Sequence, residues 1–128
     1  MAKEIRKTEA GGYLGQASEF LESAIDSMNK GRFNAAGFDA TQSIINANDA
    51  LTVHFLGVRA SADHREAVRL HVDVVRVISD SSCRGILKNA LDLRSAAGYL
   101  GKPVTKGEAD GLIRDAARFL EWTKRYVK

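Results

Sequence analysis

Val72-Asp73-Val74-Val75-Arg76-Val77-Ile78 is the stretch on which the fold class turns. Taken alone, this β-branched run suits a strand. Its flanks give it another period. His64, Ala67, Leu70, His71, Val74, Val75 and Ile78 fall on one face of a helix. No second run elsewhere in the sequence offers a partner strand. Packing commonly overrides propensity, so the stretch reads as helix and the chain as all-α.

The flanking sequence repeats the pattern. Ser61 is placed to cap this helix, and the polar cluster Ser79-Asp80-Ser81-Ser82 ends it. Upstream, Leu14, Ala17, Leu21, Ala24, Ile25 and Met28 mark one helical face, with Gly31 as its stop. Phe33, Ala36, Ala40, Ile44, Ala47, Leu51 and Phe55 mark a second, alanine-rich face closed by Gly57. Downstream, a helix runs from about Arg84 to Leu100, with Ile86, Leu87, Ala90, Leu91, Arg94 and Ala97 inward. Gly101-Lys102-Pro103 stops it. Thr105 and Glu108 form a capping box for a last helix carrying Ala109, Leu112, Ile113, Ala116, Phe119, Leu120 and Thr123. The expectation is an up-and-down antiparallel bundle of about five helices. Residues 1–12 are expected to be a flexible polar lead-in, and residues 13–128 a single domain.

Composition narrows the function classes. Among 128 residues, 45% are hydrophobic, enough for a core, and Lys plus Arg exceeds Asp plus Glu by 19 to 16. The single cysteine, Cys83, excludes an intramolecular disulfide and fits a reducing compartment. No apolar run approaches the ~18–20 residues of a membrane span. The opening MAKEIRKTEAGG lacks the apolar core of a secretory signal, so the expected location is cytoplasmic and no membrane partner is expected.

Few residues carry chemistry by pattern. His64 and His71 share a helical face but stand ~10 Å apart along it, too far to share one metal directly. No metal-ligand spacing appears, and neither metal nor cofactor is expected. Cys83 opens a helix, where the dipole favours a thiolate, yet nothing beside it supports catalysis. Gly11, Gly12 and Gly15 follow no predicted strand, so they are no phosphate loop. Two arginine ladders, Arg65-Arg69-Arg76 and Arg114-Arg118-Arg125, suit phosphate, but carboxylates are interleaved. They read first as ion-paired surface and second as a nucleic-acid face without base readout. Arg94 lies on an inward stripe. A charge there needs a partner or a cleft, and Asp92, Tyr99 and His64 are the candidates.

At these residues the sequence resembles the HEPN family of small helical bundles over roughly residues 13–127. Lys30-Gly31-Arg32-Phe33-Asn34-Ala35-Ala36 resembles the family's glycine turn, aromatic and alanine-rich helix. Ala62-Asp63-His64 falls where many members carry a histidine. Leu93-Arg94-Ser95-Ala96-Ala97-Gly98-Tyr99 resembles their segment of arginine, small polar residue and tyrosine. Many members are metal-independent ribonucleases and toxins that use an arginine, an adjacent polar residue and a histidine four to six intervening residues later. Arg94 and Ser95 match the first two elements. Tyr99, Leu100 and Gly101 occupy the last, and no histidine follows Arg94. The resemblance therefore implies the branch that lacks the nuclease motif. That is a non-catalytic homodimer binding nucleotide or RNA phosphate through Arg94, Ser95 and Tyr99. It would act with a small nucleotidyltransferase in a toxin–antitoxin-like setting, and Tyr99, Leu100 or Trp122, where exposed, would be interface residues. The alternatives are a ribonuclease with a degenerate motif, drawing on Arg94, Ser95, Tyr99 and His64, and a purely structural interaction module.

Overall fold

A computed structural model describes residues 2–60, 64–99 and 101–128, with residues 96–99 by backbone alone. Five helices carry the chain: α1 (Ala10–Asn29), α2 (Phe33–Leu56), α3 (His64–Ile78), α4 (Arg84–Tyr99) and α5 (Lys106–Tyr126). The all-α bundle expected from the periodicity is the fold found. The run Val72–Ile78 is helical, and its face carries buried Leu70, His71 and Val74.

The first helix begins earlier than expected. It starts at Ala10 and takes in Gly11 and Gly12, although glycine lowers helix propensity by about 1 kcal/mol per residue. The residues before it are tied to a distant part of the chain. Lys3–Glu4 (β1) pairs antiparallel with Val58–Arg59 (β2), in register Lys3 with Arg59 and Glu4 with Val58. The Ile5 amide donates to the Gly57 carbonyl at 2.9 Å. A short 3-10 turn, Lys7–Glu9, then feeds α1, and Ala10 is buried. Within the lead-in, residues 3–9 therefore carry defined backbone structure. Gly57 makes this return possible. It adopts φ 69°, the left-handed conformation that ends a helix at little cost only for glycine.

α2 is the hub. It packs against α1, α3, α4 and α5. Its buried positions run around the helix and include Thr41, Ser43, Asn46, Asn48, Asp49 and Thr52 as well as alanines. The α1–α2 contact is a seam of small side chains. Ala10, Ala17 and Ala24 recur every seven residues on α1, and Ala36, Ala40, Ser43, Ala47 and Ala50 alternate steps of four and three on α2. That spacing keeps one stripe of each helix against its neighbour. The Ser43 hydroxyl donates across the seam to the Ala17 carbonyl at 2.7 Å.

The opposite side of α2 meets large groups. Phe119 and Leu120 of α5 are buried with Leu51, Val74 and Leu87. His71 packs in this core against both Phe119 and Trp122, with ring centroids 5.9 and 5.7 Å away. Its Nδ1 hydrogen-bonds Asn48 Oδ1 at 2.9 Å. Burial, with Arg84 adding to it, pushes the imidazole down to about 4, so it is neutral near pH 7. His71 is thus a core histidine. Trp122, an interface candidate only if exposed, is buried within the chain and only 3% exposed. Its indole N–H donates to Asp80 at 2.8 Å, and the Tyr126 hydroxyl donates to the same carboxylate oxygen. The Asp80 carboxyl also accepts from Ser82 and is held well below its ordinary range by these donors.

The expected capping box is present. The Glu108 amide donates to Thr105 Oγ1 at 3.1 Å, and the Thr105 amide to Glu108 Oε1 at 3.0 Å. Thr105→Ala is expected to cost about 1 kcal/mol of unfolding free energy, as N-cap removals do. Urea titration measures it, and an unchanged midpoint would contradict the cap.

Candidate functional site

Arg94 is carried by the C-terminal half of α4, a helix that packs against the hub. It is half-buried, as an inward arginine should be, but Asp92 is not its partner: Asp92 is exposed. Among the described residues no carboxylate lies within ion-pair range of Arg94. Its guanidinium sits 5.8 Å from the centre of the Phe38 ring. Phe38 is half exposed and belongs to a mostly apolar cleft of about 570 Å3 with Pro103 and Val104. Gly37 sets how closely that wall is built. A methyl group there would meet Val104 Cγ1 at 3.0 Å. The Val104 amide is tied to the same helix through Asn34 Oδ1 at 2.6 Å.

On its other side Arg94 lines a polar cleft of about 560 Å3. The walls are α2, α3, α4, the start of α1 and the strand pair. Ser95 and His64, far apart in sequence, meet at this end: Ser95 Oγ and His64 Nδ1 are 3.1 Å apart. His64 lines the cleft with Arg94. The structure thus brings together three of the four residues singled out from the sequence. The fourth, Tyr99, ends α4, and its side chain lies outside the described residues, as does Leu100. Ser61, the expected cap of α3, lies outside them too.

The far end of the cleft was not foreseen. Asp49 projects from the hub helix and is 7% exposed. Burial pushes its carboxyl up to about 7, against the pull of Arg59, whose Nε lies 3.8 Å from it. Arg59 also donates to the Tyr13 hydroxyl at 3.3 Å and lies over the Tyr13 ring. Lys3, Gln42 and Asn46 complete this wall, and Gln42 Oε1 is buried without a hydrogen-bond partner among the described residues. One signal was readable: Asn46, Asn48 and Asp49 interrupt the apolar positions of a helix whose neighbours enclose it. The strand pair that delivers Arg59 and Lys3 had no signal of its own.

The cleft therefore offers Lys3, Arg59 and Arg94, one imidazole, and one carboxyl that is half protonated near neutral pH. Such a set favours an anion, with arginine forks suited to phosphate oxygens. The other sequence candidates fare differently. Cys83 is buried, and desolvation raises its thiol, so the thiolate that reactivity requires is disfavoured. Two ladder arginines are ion-paired on the surface: Arg76 with Asp73 at 3.8 Å and Arg114 with Asp110 at 3.6 Å. Among the described residues no helix is long and apolar enough to cross a membrane.

Residues 10–126 match the family model described as HEPN domain. No curated protein matches the chain.

Proposed function

Because the chain belongs to the HEPN domain family, we propose that it is a non-catalytic binding module, a cytoplasmic homodimer that holds a nucleotide or RNA phosphate near Arg94. A small nucleotidyltransferase in a toxin–antitoxin-like pair is the partner this reading assigns. One observation carries it. Arg94 has no carboxylate partner among the described residues, yet it borders a polar cleft beside the Ser95–His64 hydrogen bond. An arginine left without an acid at a cleft is a ready phosphate anchor. The sequence places no histidine after Arg94, which removes the usual acid–base group of the nuclease branch.

Thermal melting with nucleoside mono- and triphosphates tests the reading. A ligand at a hundred times its Kd stabilises the folded state by about 2.7 kcal/mol. Arg94→Ala is expected to weaken binding at least tenfold, since hydrogen bonds to charged groups contribute about 1.5–3 kcal/mol. Nucleotides that leave the melting temperature unmoved at millimolar concentration would leave a structural bundle as the better account.

The Ser95–His64 contact favours a second reading. It supplies from α3 the imidazole that α4 lacks, so a metal-independent ribonuclease could use His64 for proton transfer and Arg94 for phosphorane charge. RNA cleavage in EDTA that is lost in both Arg94→Ala and His64→Ala would establish it. Intact RNA would leave the binding module.

A further inference from the structure

A groove between α3 and α4 gathers cations that the Arg94 cleft does not use. It has a volume of about 440 Å3 and an apolar floor of Val68, Val72 and Leu91. Arg65 and Arg69 form its α3 rim, and Arg84 and Lys88 its α4 rim. Within each rim the two cations are one helical turn apart, ~6 Å along the axis. All four side chains are exposed. Among the described residues, Asp92 is the one carboxylate that lines the groove. Arg69, Arg84 and Lys88 have no carboxylate within ion-pair range among the described residues, unlike Arg76 and Arg114. The groove also meets the polar cleft: His64 and Leu91 line both.

We propose that the α3–α4 groove is a track for the phosphodiester backbone of single-stranded nucleic acid, leading into the Arg94 cleft. The inference deepens the phosphate-binding reading and rests on it. A mononucleotide held at Arg94 would leave Arg69, Arg84 and Lys88 without an anion. Two facing basic rows repel one another, and a polyanion laid between them removes that repulsion. The floor is aliphatic, so it offers no aromatic platform for base stacking. Affinity is then carried by the backbone and is indifferent to sequence.

Fluorescence anisotropy on the full chain tests the track. The probe is labelled 12-nucleotide oligouridylate. Oligothymidylate of equal length, uridine monophosphate and polyglutamate serve as competitors. The 12-mer is expected to bind at least tenfold more tightly than the monophosphate. Three or four phosphate contacts predict that log K falls with log salt at a slope of about −2 to −3. The exposed double variant Arg69→Glu with Lys88→Glu is expected to abolish the length advantage while keeping monophosphate affinity and melting temperature. Tighter binding of the ribo strand than the deoxy strand would assign the track to RNA. Equal binding would assign it to single strands generally, and both support it. A 12-mer no tighter than the monophosphate, or a double variant that binds like wild type, would overturn the proposal. So would polyglutamate competing as well as the oligonucleotides, which would make the groove a surface for an acidic protein. Arg94→Ala separates the two readings. If it leaves monophosphate binding intact, the Arg94 site has failed, whereas loss of the length advantage in the double variant still reports the groove.

Discussion

Phe119→Ala is expected to lower the unfolding free energy by about 3–5 kcal/mol, the range for truncating a buried aromatic. Phe119 is fully buried and packs against His71 and Trp122, whose ring centroids are 5.9 and 5.6 Å away. Truncation removes the transfer energy of the ring and leaves a cavity lined by rigid neighbours. The hub helix cannot collapse into it, because its other side is already in close contact with α1. Domains of this size are stable by only about 5–15 kcal/mol, so the loss is a large share of the total. Urea unfolding should show a lower midpoint with an unchanged slope. A loss below about 1 kcal/mol would mean that α5 is not the wall of the core.

The second large effect is a pH profile that is flat because two buried groups oppose each other. Asp49 rises from 3.8 to about 7 on folding, through burial that outweighs Arg59. The folded state then keeps a proton that the unfolded chain has lost. Stability falls as pH rises from about 4 to 7, by about 1.4 kcal/mol per pH unit. His71 moves the other way, from 6.5 to about 4, through burial and the nearby Arg84. The unfolded chain then binds a proton that the folded state refuses. Stability is lost as pH falls from 6.5 towards 4, at the same slope. Across that shared window the two contributions cancel. Wild type is expected to change little between pH 4.5 and 6.5. Asp49→Asn removes one arm, so its stability should climb with pH by about 3 kcal/mol across the window. Urea unfolding of both proteins at pH 4.5, 5.5 and 6.5 decides the matter. Parallel profiles would show that Asp49 titrates alike in folded and unfolded chains.

The helices were legible because each carries its own punctuation. Gly31 and Gly57 end α1 and α2 in left-handed conformations, and Thr105 with Glu108 starts α5. The β-branched stretch of α3 was decided correctly by its period, since burial of Leu70, His71 and Val74 outweighs a modest propensity cost. What the sequence hid was long-range. The chain ahead of α1 is held by Lys3–Glu4 meeting Val58–Arg59, two segments too short to show a strand pattern. Trp122 looked like a candidate interface residue because its partner, Asp80, lies in a distant loop. At the site, Arg94 and Ser95 could be placed from a local motif. The approach of His64 to Ser95, and of Arg59 to Asp49, is fixed only by how α3 and the strand pair sit on α2.

The alanine seam between α1 and α2 makes the chain's mutational tolerance lopsided. On the α5 side, variation is punished for removing atoms, and a lost ring can be compensated by a larger neighbour. Along Ala10, Ala17 and Ala24 there is almost nothing to remove. Drift there fails by addition: each extra methylene forces the backbones apart, at about 1–3 kcal/mol per overpacked site. No neighbouring alanine can shrink much to make room. Lineages of this chain can therefore rework the aromatic face by paired exchanges, while the seam stays nearly frozen in size, open mainly to glycine and serine.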